Sequence, residues 1–217
     1  MVSREDARVK PEMRPEIWPE IWPEIWMVRH GATEWSESGR HTSRTDVPLT
    51  DDGRAAATSL APLLAGHRFG LVLSSPAVRA RDTARLAGFD GAEIDPDLRE
   101  WDYGDCEGLT TDEIRSRAPG TGSCPEWAEW TVWRGPLPGG ESIDDVAQRA
   151  ERIVDRIESS PGDVLLFGHG HDLRVLTAVA LELGPQAGAR LALDSATLSV
   201  IGYEHETRAL REWNRRP

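Results

Sequence analysis

A chain of 217 residues with 39% hydrophobic and 29% charged residues has a globular balance and the length of one domain or two small ones. No run approaches the ~18 apolar residues of a membrane span, and no apolar stretch follows the charged N-terminus, so no secretory signal is expected. The net charge of −12 argues against a nucleic-acid partner, and two cysteines, Cys106 and Cys124, are too few for a disulfide scaffold, which points to a reduced, cytoplasmic compartment.

The N-terminus repeats Pro-Glu-Ile-Trp three times, at Pro15–Trp18, Pro19–Trp22 and Pro23–Trp26. A proline in every copy forbids the helix that a tryptophan at each fourth position would suggest. Only the third copy runs into an apolar strand, so residues 1–22 are expected to form a disordered, low-complexity arm and residues 23–217 the folded domain. Three exposed tryptophans keep partner binding as a minority reading of the arm.

Beyond the arm, Ile25–Arg29, Leu71–Ser74 and Val164–Phe167 are short apolar runs, the mark of strands buried on both faces. Thr50 is expected to cap a helix over Asp51–Leu64, and Ser75-Pro76 to open one that runs to Leu86. Thr110-x-x-Glu113 is a capping box. The segment Pro119–Glu141, rich in proline and glycine and holding Trp127, Trp130 and Trp133, reads as a long loop or lid. Helical spacing marks Ile143–Ile157 and Leu173–Leu183, while Thr197–Tyr203 and Ala209–Trp213 read as an edge hairpin. Strand alternating with helix predicts an α/β domain with a largely parallel sheet.

Ligands of open α/β sheets sit beyond the carboxyl ends of the strands. That edge collects Arg29-His30-Gly31, Ser74-Ser75-Pro76 with Arg79 one turn on, and Gly168-His169-Gly170. Two histidines and two arginines, with helix N-termini nearby, make an oxyanion pocket suited to phosphate. His30 is a competent nucleophile toward phosphorus, and two guanidiniums would keep it neutral. Arg29 and Arg79 can stabilise the equatorial oxygens, so no metal or other cofactor is expected. Gly31 is expected where the turn must pass close to the nucleophile. Glu100, in a polar loop flanked by aromatics that would raise its pKa, is the best candidate for protonating the leaving oxygen. A metal reading of His169-x-His171-Asp172 finds no further ligand cluster, and no Gly-x-Ser-x-Gly elbow supports a serine hydrolase.

These motifs together resemble the histidine phosphatase (phosphoglycerate mutase-like) superfamily. They are Arg29–Trp35, Ser74–Ala84, Glu100–Gly108 and Gly168-His169-Gly170, and the resemblance covers about residues 23–213. It implies a three-layer α/β/α sandwich around a mostly parallel mixed sheet, with His30 phosphorylated, Arg29, Arg79 and His169 on the phosphate, and Glu100 as proton donor. Thr33–Ser36, Leu98–Asp105 and Gly168–Arg174 are similar to a branch that includes fungal sedoheptulose-1,7-bisphosphatase. That similarity implies substrate contacts at Ser36, Thr42, His171 and Arg174. Mutases have asparagine where this chain has Ser36, and the family usually has glycine at Ser43, a change expected to narrow the pocket floor or displace a backbone donor.

The function expected is a phosphomonoesterase acting on a small, sugar-derived phosphate, with no nucleic-acid or membrane partner and with self-association left open. The alternatives are a phosphoglycerate mutase, for which the span Glu100–Ser142 looks too short, and a non-catalytic binding protein on the same fold.

Overall fold

A computed structural model describes residues 22–116 and 125–217, so the expectations for residues 1–21 and 117–124 lie outside the described residues. In chain order the elements are β1 (Ile25–Arg29), α1 (Glu34–Glu37), α2 (Asp51–Ser59), α3 (Ala61–Leu64), β2 (Leu71–Ser74), α4 (Val78–Leu86) and β3 (Glu93–Ile94). They continue with α5 (Thr111–Ser116), α6 (Pro125–Ala128), α7 (Ile143–Glu158), β4 (Val164–Gly168), α8 (Gly170–Ala180), β5 (Leu198–Glu204) and β6 (Thr207–Arg215). The sheet order is β3-β2-β4-β1-β5-β6. β3, β2, β4 and β1 run parallel, while β5 and β6 add an antiparallel edge.

Alternation along the strands splits the core into two layers. Ile25, Met27, Leu73 and Leu166 face α7 and α8, where Val146, Ala150, Ile153, Leu173 and Leu176 meet them. Val28, Leu165 and Phe167 face the other way, onto Leu60, Leu64 and Ala84 of the α2–α4 side. The three-layer α/β/α sandwich is therefore present, with β4 at its centre and fully buried.

Several element ends differ from the sequence reading, each for a tertiary reason. α2 stops at Ser59 because Pro62 lacks the N–H that would continue the ladder, and α3 restarts after Leu60. α4 begins at Val78 rather than at Pro76, and its cap comes from 32 residues away: Val78 N donates to Asp46 Oδ1 at 2.7 Å. α8 begins at Gly170, three residues earlier than expected. β3, which the sequence reading missed, is a two-residue exposed strand held on β2.

The tryptophan-rich stretch is packed rather than loose over its described part. Trp130 is completely buried and its Nε1 donates to Pro136 O at 2.9 Å. Trp133 meets Trp101 edge-on at 5.5 Å. Trp22, placed in the arm by its sequence, is half-buried with its ring centre 4.9 Å from that of Tyr203, so the folded part includes residue 22.

Candidate active site

Three adjacent parallel strands end side by side, and the residues just past them build the site. β1 leads into His30, β2 into Ser75 and β4 into His169. The register is held beyond the strand ends, because His30 N donates to Gly168 O at 3.0 Å and Ser75 N to Phe167 O at 2.9 Å. A Cβ on Gly31 would meet the carbonyl oxygen of Gly53 at 2.4 Å. The crowding that requires glycine there is thus with α2, not with the nucleophile as expected.

His30 Nδ1 lies 2.7 Å from the Gly31 carbonyl oxygen. A carbonyl only accepts, so Nδ1 carries the ring proton and Nε2 keeps its lone pair. Burial, followed by the charges of Arg79 and Arg29, pushes the His30 pKa down to about 3. His169 is fully buried with its ring centre 5.2 Å from that of His30, and burial together with Arg79, His30 and Arg29 holds it well below the usual histidine value. Burial and the two arginines thus favour the neutral form of both rings.

The two arginines are fixed by backbone carbonyls. Arg29 donates from Nη1 to Leu193 O. Arg79 donates from Nη1 to Thr45 O at 3.1 Å, and from Nη2 to Thr42 O and Ser43 O at 3.2 Å each. Three buried nitrogens beside His30 nevertheless lack a partner among the described residues: Arg29 Nε and Arg79 Nε, which are donors, and His169 Nδ1. Buried polar atoms are nearly always hydrogen-bonded, so two orphaned guanidinium donors and an orphaned ring nitrogen around one nucleophile mark a site built to receive an anion.

The open part of the site is a pocket of about 180 Å³ against Arg29 and His30; Arg79 and His169 are not part of its lining. Ser36, Thr42, His171 and Arg174 all line it, as do Arg29, His30 and Glu100. Ser36 uses its hydroxyl in the capping box of α1, accepting from Thr33 N at 2.8 Å and donating to Thr33 O at 2.9 Å. Arg174 lies over Trp133, 4.7 Å from the ring centre. His41 and Tyr103 also line the pocket, and the sequence reading missed both. The position of His41 beside Thr42 was the available signal, and Tyr103 stands in the Glu100 motif itself.

Glu100 departs from expectation. Burial pushes its pKa upward, but the neighbouring His171 ring and three backbone donors push harder the other way, so it sits below its ordinary value. The donors are Trp101 N at 2.9 Å and Asp172 N at 2.8 Å to Oε1, and His171 N at 3.1 Å to Oε2. Two of them belong to the first turn of α8, so the helix N-terminus expected to face phosphate instead holds this carboxylate. The carboxylate in turn explains the early start of α8. Behind it the completely buried Arg149 joins Asp172 Oδ1 at 2.7 Å, Asp97 O at 2.8 Å and Glu141 at 3.2 Å, fixing the Glu100 loop against α7 and α8.

Comparison with known proteins identifies the family. Residues 25–216 match the model of the histidine phosphatase superfamily (branch 1). The chain belongs to that superfamily. An acid phosphatase of Mycobacterium tuberculosis is 39% identical over 188 residues, spanning 85% of this chain and 88% of that protein. Sedoheptulose 1,7-bisphosphatase of Saccharomyces cerevisiae is 34% identical over 185 residues, 74% of this chain and 68% of its own. The structure of the open reading frame Rv3214 of Mycobacterium tuberculosis superposes with a TM-score of 0.80 at 38% identity, covering 89% and 98% of the two chains. The protein is a histidine-dependent phosphatase.

Two features of this histidine phosphatase were given no role in the sequence reading. One Glu-His-Asp group among the described residues, Glu24, His67 and Asp163, has the spacing for a metal ion but sits at the opposite, amino-terminal edge of the sheet. Its atoms are already bonded: His67 Nε2 lies 2.7 Å from Asp163 Oδ2, Glu24 N donates to Asp163 Oδ1 at 2.8 Å, and Trp26 Nε1 donates to Glu24 Oε2 at 3.0 Å. The second feature is Glu107, whose carboxylate accepts from Ser43 N at 2.9 Å and Thr45 N at 3.0 Å. The Ser43 backbone donor is therefore turned away to Glu107, and Ser43 does not line the pocket. Glu107 braces the very loop whose carbonyls hold Arg79. Glu107→Ala is expected to weaken inhibition by inorganic phosphate about tenfold, the size of one charge-assisted hydrogen bond. An unchanged inhibition constant would show that Arg79 holds its place without the brace.

Proposed function

We propose that the chain hydrolyses a small phosphate monoester of the sugar-phosphate class, in the cytoplasm, through a phosphohistidine on His30. The observation that carries this reading is the set of three orphaned buried nitrogens, Arg29 Nε, Arg79 Nε and His169 Nδ1, beside a neutral ring whose Nε2 lone pair is unused. In-line attack by Nε2 breaks the P–O bond to the alcohol, while the two arginines and His169 take up charge on the equatorial oxygens. Arrival of the phosphate's negative charge favours a proton on Glu100, which passes to the leaving oxygen. As a carboxylate again, Glu100 takes a proton from the water that attacks the phosphohistidine. Thr42, His171 and Arg174, which line the pocket, are assigned to the alcohol part. The small, polar-walled pocket and the sugar-phosphate name of the yeast relative support that class.

The test is phosphate release from a panel of sugar phosphates and phosphoglycerates, in chelator-containing buffer. Turnover of sugar phosphates without isomerisation of phosphoglycerate is expected. Phosphoglycerate interconversion primed by trace bisphosphate would assign a mutase, and release from no ester would leave a binding protein.

The arm is proposed to be dispensable up to Ile21. A chain starting at Trp22, which keeps the contact with Tyr203, is expected to melt within about 2 °C of the full chain and to keep kcat/KM within about twofold. Docked indoles at Trp18 would contribute ~1.5–3 kcal/mol, so a larger fall in Tm would put the arm within the fold.

A further inference from the structure

Taking the site as assigned under Proposed function, we infer that the Ser75 hydroxyl selects the tautomer of His169 and so makes the ring's Nδ1–H a donor to the phosphoryl group. Ser75 is a positioning residue, acting through His169. It is completely buried at the end of β2, and its backbone is pinned to β4 by the bond from its N–H to Phe167 O. Its Oγ has two neighbours. Ala77 N–H, at 3.3 Å, can only donate, so Oγ accepts there. His169 Nε2, at 2.7 Å, remains as the acceptor for the hydroxyl's single proton.

A ring nitrogen that accepts a hydrogen bond carries no proton, so the proton of neutral His169 must reside on Nδ1. That atom is buried and without a partner, like Arg29 Nε and Arg79 Nε. The reverse tautomer would leave the serine proton with no acceptor and would present a lone pair to the phosphate oxygens. His30 makes the contrast plain. It too carries its proton on Nδ1, but there the protein covers Nδ1 with Gly31 O and leaves Nε2 as nucleophile. In His169 the protein covers Nε2 with Ser75 and leaves Nδ1–H as donor. One tautomer thus serves two opposite roles, according to which ring edge is covered.

The test uses the full chain labelled with ¹⁵N-histidine and long-range ¹H–¹⁵N correlation of the imidazoles, with His169 assigned through His169→Asn. Wild type should show His169 protonated on Nδ1. Ser75→Ala, which only removes atoms from a buried position, should shift the ring toward the Nε2–H form and weaken inorganic phosphate binding about tenfold. An Nε2–H ring in wild type, or an unchanged tautomer in Ser75→Ala, overturns the inference. So does a changed tautomer with unchanged phosphate affinity. Failure of the site reading looks different: phosphate would then leave the His30 and His169 signals of the wild type unmoved, and the donor role would fall with it whatever the tautomer.

Discussion

The His30→Ala enzyme is expected to lose turnover by at least ~10³-fold, about 4 kcal/mol of barrier, on every ester tested. The size follows from what is removed, a covalent step and not a contact. No other neutral nucleophile stands among the three orphaned nitrogens, since His169 presents its Nδ1–H and hides Nε2 against Ser75. The donors themselves remain, and inorganic phosphate should still bind with an affinity within about tenfold of wild type. Acid-labile, base-stable phosphate should be trapped on wild type after a quench and be absent from the variant. Near-normal turnover, or phosphate recovered on a serine, would remove His30 from the mechanism.

What could be read from the sequence was whatever depends on residues close together along the chain. Val164–Phe167 is a strand because it is apolar on both faces, and the structure buries every one of those residues. Arg29, His30 and His169 were visible because the strand-end rule needs only the strand and the next residue. What escaped depends on partners far away. The starts of α4 and α8 were misplaced because their caps are Asp46 and Glu100, not neighbours of the helices. Ser75 looked like a helix cap, and its hydroxyl faces a histidine 94 residues away. Glu107 carried no local signal, because its acceptor role is defined only by a loop 62 and 64 residues earlier. The Glu100 pKa was inverted for the same reason. Flanking aromatics argue for a raised value, and the His171 ring together with the backbone donors of Trp101, Asp172 and His171 reverses it.

That reversal sharpens what Glu100→Gln should do. The wild-type carboxylate accepts N–H bonds on both oxygens, and an amide has one acceptor oxygen, so the NH₂ must face a backbone donor on one side. Some general loss, equal for all esters, is therefore expected from distortion alone. On top of it, alkyl phosphates, which need a proton on the departing oxygen, should slow by a further ~10²-fold or more, whereas aryl phosphates with good leaving groups should not. Hydrolysis of the phosphohistidine also loses its base. An aryl ester should consequently release its alcohol in a burst equal to the enzyme present, then stall as the phosphoenzyme accumulates, a phase that rapid-quench kinetics would resolve. The ratio of aryl to alkyl rates separates proton donation from distortion, because distortion cannot distinguish the leaving group. Equal slowing of both ester types without a burst would take the proton from Glu100. Asp102 would be a poor successor, since its carboxylate is already shared between Arg44 and Gly104 N. The pocket-lining group is Tyr103, whose hydroxyl lies 2.7 Å from His171 Nδ1 and whose pKa is raised well above its ordinary value by burial and by Glu100. A phenol held so firmly in its protonated form could orient Glu100 but would give up its proton only slowly, which is why the carboxyl group remains the acid that this pocket can use.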